Sequence, residues 1–176
     1  MTRVADGRAL NAILRRLFRT PVYLYRWRCG WLLGHRFLLL IQVGRRTGLR
    51  RQTVLEVLEY RKEGPKAVVI SAFGPNADWL RNTEAASGAE VVIGSEHFTA
   101  AHRFLDDQEA VRVITGYERR NRFIAPIIRA VLSRLLGWRY DSSAGSRLRL
   151  VKQLPVIAFH RRILTPPNAV TGWPAT

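Results

Sequence analysis

The chemistry this sequence offers is concentrated in one short run, Gly44-Arg45-Arg46-Thr47-Gly48-Leu49-Arg50-Arg51. Two glycines free the backbone to turn amides toward an anion, and Thr47 adds a hydroxyl. The arginines add planar forks that pair with phosphate or carboxylate through two parallel hydrogen bonds. The run suits a phosphate cradle and a solvated cationic hairpin equally well. A second candidate is Ser71-Ala72-Phe73-Gly74-Pro75-Asn76-Ala77-Asp78-Trp79-Leu80-Arg81-Asn82. Small residues at a strand end, followed by a helix start, let a flat ring lie against the backbone with amides available for its carbonyls. The commoner use of such a stretch is a plain strand-to-helix connection with Trp79 in the core.

Other constellations are scarce. His35, His97, His102 and His160 are scattered, and His97 and His102, five residues apart on an expected strand, fall on opposite faces, so no metal site is expected. The single Cys29 rules out a thiolate metal cluster. No Gly-x-Ser-x-Gly elbow, Walker loop or Gly-x-Gly-x-x-Gly occurs, which argues against common hydrolases, P-loop enzymes and Rossmann dehydrogenases.

The charge is unusual. Lys+Arg number 29 against 13 Asp+Glu, a net +16, and every cation except Lys62, Lys66 and Lys152 is arginine. Such a surplus suits nucleic acid, an acidic lipid surface or a polyanionic small molecule, and composition does not choose among them. The 176 residues, 47% hydrophobic, fit one globular domain with a buried core. The lone cysteine fits a reducing compartment. The first residues lack a signal-peptide core, and Arg or Lys interrupts each apolar stretch before the ~20 residues that span a bilayer. A cytoplasmic protein is expected.

These residues need elements to hold them. Leu10, Ile13, Leu14, Leu17 and Phe18 form one face of a helix over Ala9 to Phe18, stopped by Pro21. Apolar or alternating runs predict strands at Phe37 to Val43, Thr53 to Tyr60, Ala67 to Phe73, Glu90 to Ile93, His97 to Leu105 and Leu154 to Phe159. Gly94-Ser95 predicts a two-residue hairpin. Asn76 is expected to cap a helix carrying Asp78, Trp79, Leu80 and Asn82 until Ser87-Gly88 breaks it, and Asp106 with Glu109 forms a capping-box pattern for a helix through Tyr117. Ile124, Ile127, Ile128, Val131, Leu132, Leu135 and Leu136 stripe another helix, which Gly137 stops. Short turns between strands predict an α+β fold, an antiparallel sheet of about six strands closing into a small barrel with helices outside. The expected organisation is an N-terminal helical segment over 1–36, the barrel over 37–160 and a loose tail over 161–176.

The run Phe37 to Val57 with its Gly-Arg-Arg-Thr-Gly loop, then Ser71-Ala72-Phe73-Gly74-Pro75-Asn76-Ala77-Asp78-Trp79-Leu80-Arg81-Asn82, then Leu154 to Phe159, resembles the deazaflavin-dependent nitroreductase family of actinobacteria. The resemblance covers roughly residues 20 to 160, and the loop and the Asp-Trp-x-x-Asn stretch, about thirty residues apart, are more specific together than singly. It implies a split β-barrel like that of FMN-binding oxidoreductases and a reductase that uses the reduced 8-hydroxy-5-deazaflavin coenzyme F-420. Carried over, Arg45, Arg46, Thr47, Gly48 and Arg51 hold the coenzyme phosphate, and Ala72, Phe73, Gly74, Asp78, Trp79 and Asn82 line the ring. The coenzyme's phosphodiester and carboxylates give the arginine surplus a partner.

The implied reaction is hydride transfer from the reduced ring to an electrophilic acceptor, with the protein supplying orientation and a dry pocket. Tyr117 is the candidate proton donor on this reading; a packed tyrosine with its hydroxyl at solvent is the commoner case. Glu118-Arg119-Arg120-Asn121 stands where nitro-drug-reducing members have further tyrosines, so quinones or related conjugated acceptors are the expected substrate class over nitro compounds. The alternatives are a coenzyme- or lipid-binding barrel without turnover, an FMN-dependent reductase and, last, a nucleic-acid binder, for which no motif is present. The basic helix over Ala9 to Phe18 fits either an anionic membrane surface or the barrel mouth.

Overall fold

Alternation along Leu38-Leu39-Leu40-Ile41 places one set of side chains inside a barrel and the other outside, and the strands that follow keep that period. The computed structural model describes residues 34–63, 66–86 and 88–162. Along them run β1 (Phe37–Val43), β2 (Arg50–Arg61), β3 (Lys66–Ile70), α1 (Asp78–Ala85), β4 (Ala89–Ile93), β5 (Glu96–Phe104) and α2 (Asp107–Arg120). A 3-10 turn (Arg122–Ile124), α3 (Ala125–Leu136), α4 (Ala144–Gln153) and β6 (Val156–Arg161) follow. The strands close into a barrel in the order β1-β2-β3-β6-β5-β4, each pair antiparallel. The expected α+β barrel is the observed fold. The helix expected over Ala9 to Phe18, Cys29 and the tail beyond Arg162 lie outside the described residues.

Leu38, Leu40, Leu55, Val69, Val91, Ile157 and Phe159 fill the barrel, and Trp79 and Leu80 of α1 close its mouth. On the outside, Leu58, Val68, Val156 and Ala158 pack against Ala110, Val113 and Ile114 of α2 and Leu150 and Val151 of α4. Leu39, Ile41 and Val54 form a third, outward cluster with Phe37 and Val92. A bulge between Val57 and Glu59 adds one residue to β2, so that Leu58 faces outward and Tyr60 turns back toward the inner core. Tyr60 stacks on His35 with ring centroids 4.3 Å apart.

Several boundaries differ from those expected, each for a local reason. β2 begins at Arg50 rather than Thr53, because pairing with Val43 extends the ladder into the arginine run. β3 ends at Ile70: the Ser71 hydroxyl donates to the Gly74 carbonyl at 2.7 Å and the Gly74 amide to the Ser71 carbonyl at 2.8 Å, forming a turn with Gly74 at φ +76°. The residue before α1 is Ala77, with no side-chain cap, so Asn76 does not cap it. α2 runs past Tyr117 to Arg120, and β6 starts at Val156 rather than Leu154. α4 was not expected; Ser143 caps it by accepting from the Ser146 amide at 3.2 Å.

Only half of the capping box forms. Asp106 accepts from the Glu109 amide at 2.8 Å, but the Glu109 carboxylate takes Arg103 at 2.6 and 2.7 Å and Lys66 at 3.3 Å. The Arg103 hydrogen bonds, then Lys66, pull the Glu109 carboxyl from 4.5 to about 2. A folded-state value below the unfolded one contributes stability that is present above about pH 4.5 and lost as pH falls toward 2. Glu109→Gln is therefore expected to flatten the stability profile in that window alone, as read by urea unfolding across acid pH.

A buried carboxylate, Glu118, ties the helices together. Glu118 is 8% exposed and accepts from the Tyr140 hydroxyl at 2.6 Å, the Ser142 hydroxyl at 2.9 Å and the Arg147 guanidinium at 2.8 Å. It joins α2 to the α3–α4 connection and to α4.

Candidate functional site

β1 and β2 are joined across the barrel mouth by the Gly44–Leu49 loop. The Gly44 amide donates to the Leu49 carbonyl at 2.8 Å, and the Thr47 and Gly48 amides donate to the Gly44 carbonyl at 3.2 and 2.8 Å. Gly48 sits at φ +64°, and a Cβ on Gly44 would lie 2.9 Å from Thr47 Oγ1, so both glycines are dictated by the loop. α1 crosses the mouth beside it. Asn82 Oδ1 accepts from the Arg45 amide at 3.2 Å and from Arg45 Nη1 at 2.8 Å, while Asp78 accepts Arg45 Nη2 at 3.1 Å.

Between loop and helix lies a cavity of about 420 Å³, lined by residues that include Arg46, Thr47, Arg51, Trp79 and Asn82. Gln42 forms part of its wall and is itself 3% exposed. The Thr83 hydroxyl, with one proton to share, lies 2.7 Å from Gln42 Oε1 and 2.8 Å from the Trp79 carbonyl, which holds the Gln42 amide against α1. Among the described residues the only carboxylate in the lining is Asp78, and Arg45 pairs with it. Arg46 and Arg51 make no hydrogen bond or ion pair among the described residues. The site is thus a cationic cavity with two uncommitted guanidiniums, a hydroxyl and an indole wall. It can hold a phosphate-bearing planar ligand.

Most of the residues expected at the site are brought together. Arg45, Arg46, Thr47, Arg51, Asp78, Trp79 and Asn82 line the cavity, and Gly48 shapes its loop. Arg45, besides lining the cavity, sets its guanidinium against Asp78 and Asn82 and so ties the loop to α1. Ala72, Phe73 and Gly74 form the turn leading toward α1 and are outside the lining, with Phe73 half-exposed. Tyr117 is also outside it. Its hydroxyl donates to Glu56 Oε1 at 2.7 Å, and burial, then the Glu56 charge, pushes the phenol well above its ordinary value. Gln42, Gln52 and Thr53 line the cavity without having been singled out. The alternation Leu38, Leu40, Gln42 carried the signal for Gln42: a polar residue on an inward position.

Fold and site together define a closed antiparallel β-barrel with a cationic cavity at its mouth. Residues 17–121 match the F420H(2)-dependent quinone reductase family, and the chain belongs to it. It is a reductase that works with the reduced deazaflavin coenzyme F-420. Among solved structures, an F420-H2 dependent reductase (FDR-A) is 15% identical, covering 72% of this chain and 95% of its own with a TM-score of 0.47. A domain-swapped dimer is likewise 15% identical, covering 79% and 98% with a TM-score of 0.47. A protein related to general stress protein 26, of the pyridoxinephosphate oxidase family, from Clostridium acetobutylicum is 7% identical, covering 79% and 84% with a TM-score of 0.44. No curated protein matches the chain.

Proposed function

We infer that the mouth cavity holds the coenzyme phosphate on Arg46, Arg51 and Thr47, with the ring alongside Trp79, and that the acceptor is a quinone-like conjugated electrophile. The observation that carries this reading is a pair of guanidiniums that have no partner among the described residues and line a cavity where Asp78, the one described carboxylate, is paired with Arg45. The bound coenzyme supplies a hydride at a ring carbon when reduced. The chain's own part is to bind and orient. Arg46 and Arg51 supply charge-assisted forks, Asn82 and Asp78 set the loop through Arg45, and Trp79 with Gln42 gives one wall an apolar face and a polar edge. Ala72, Phe73 and Gly74 are assigned to the rim on the coenzyme's exposed side, where the half-exposed Phe73 offers an apolar surface to an acceptor. The cytoplasmic setting expected from the lone Cys29 goes with this reading.

Because Asn82 holds both the Arg45 amide and its guanidinium, Asn82→Ala is expected to weaken coenzyme binding about tenfold, equivalent to ~1.4 kcal/mol. A fluorescence titration with the oxidised deazaflavin, run beside FMN, reads that change. The reading as a whole is tested by mixing the protein with reduced coenzyme and a panel of naphthoquinones and nitroimidazoles and following coenzyme oxidation. Quinone-dependent oxidation is the expected result. Saturable coenzyme binding without oxidation by any quinone would replace it with the non-catalytic binding barrel.

A further inference from the structure

We propose that the outward face of α3, with the 3-10 turn leading into it, docks the protein onto an anionic lipid surface. Phe123, Ile127 and Val131 are 85%, 64% and 42% exposed and recur every four residues, so they form one stripe. Around the helix from that stripe, the buried Leu136 with Leu132 and Leu135 packs into the outer core. The chain commits α3 to the protein along one face and leaves a second apolar face in water.

The charge around that stripe is of one sign. From Arg119 to Tyr140 the sequence holds Arg119, Arg120, Arg122, Arg129, Arg134 and Arg139 and no Asp or Glu. Arg120 donates to the Leu58 carbonyl. Arg119, Arg129, Arg134 and Arg139 have no hydrogen bond or ion pair among the described residues. Arg134 follows Val131 by three residues and so continues the stripe. At one end of α3 the Arg122 guanidinium lies 4.9 Å from the centre of the Phe123 ring, and at the other Arg149 lies 4.4 Å from that of Trp138. Aromatic bodies capped by cations are what a headgroup layer accommodates, with rings below and guanidiniums among the phosphates.

Other occupants fit less well. A second copy would set the same arginines against one another. The stripe, ~18 Å long and ~10 Å wide, is also far below the ~800 Å² per partner of a stable interface. A nucleic-acid backbone would use the arginines and leave Phe123 and Ile127 wet. A bilayer with acidic headgroups takes both the charge and the apolar stripe. The surface is independent of the coenzyme site, and docking is measured without coenzyme or turnover. Its consequence is that a lipid-dissolved acceptor comes within reach of the barrel.

The test is co-sedimentation of the full chain with phosphatidylcholine vesicles and with vesicles that also contain phosphatidylglycerol. Binding to the acidic vesicles alone, weakened by salt, is expected, and F123S/I127S is expected to reduce partitioning about tenfold. Hydrogen–deuterium exchange of the unaltered protein on the same vesicles gives a second reading, with protection expected over residues 122–134. Wild-type partitioning by F123S/I127S, or an absence of vesicle-dependent protection over 122–134, overturns the proposal. Self-association without vesicles that the same substitutions abolish also overturns it and assigns the face to a second copy.

Discussion

Replacing Arg46 and Arg51 together by alanine is expected to weaken deazaflavin binding by about two to four orders of magnitude, since each charge-assisted bond is worth ~1.5–3 kcal/mol. These two arginines carry the effect because they line the cavity and have no partner among the described residues. Arg50, their neighbour, is a built-in control. It holds Glu90 at 2.8 and 3.0 Å, and the adjacent His97 also reaches that carboxylate at 3.0 Å. Arg50→Ala should leave affinity unchanged, which separates a specific phosphate grip from a general loss of positive charge. A titration at two salt concentrations reads both variants, and an unaltered dissociation constant in the double variant would remove the phosphate from this loop.

Glu118→Ala is expected to cost about 3–5 kcal/mol of folding stability, the range for removing one partner of a buried ion pair. Three donors converge on that carboxylate, and alanine leaves the Tyr140 hydroxyl and the Arg147 charge without their acceptor. Urea unfolding measures the loss. A shift under about 1 kcal/mol would mean that water replaces the carboxylate freely, against the low exposure of the site. Glu118→Gln, which keeps an acceptor oxygen, should fall between the two.

The barrel was legible because its signals are local. β-Branched runs bounded by glycine and proline mark strands, and the short connections leave mostly antiparallel pairing. The Asp106 cap and the Gly137 stop were legible for the same reason, since each is decided within one turn of chain. α4 was not: Gly145, Ser146, Arg147 and Arg149 break the apolar period, and only Leu150 and Val151 are buried. The loop arginines were visible as a group, but the separate part of Arg45 depends on Asn82 and Asp78, more than thirty residues away in sequence. Tyr117 illustrates the opposite limit. Its partner Glu56 lies on β2, and nothing near residue 117 announces that pairing.

The strand order has a consequence for how the chain is made. β6, the last strand described, sits between β3 and β5 and pairs with both. Until Val156–Arg161 leaves the ribosome, the sheet is an open ribbon with two unpaired edges, and those edges include the apolar Val68, Val69 and Ile70. Closure of the barrel mouth waits on the same event, because the turn after β3, which leads to α1, is fixed by the Ser71 amide donating to the Pro155 carbonyl. A nascent chain halted before β6 is therefore both inactive and prone to edge-to-edge association, and the final strand acts as the molecule's own protection against aggregation.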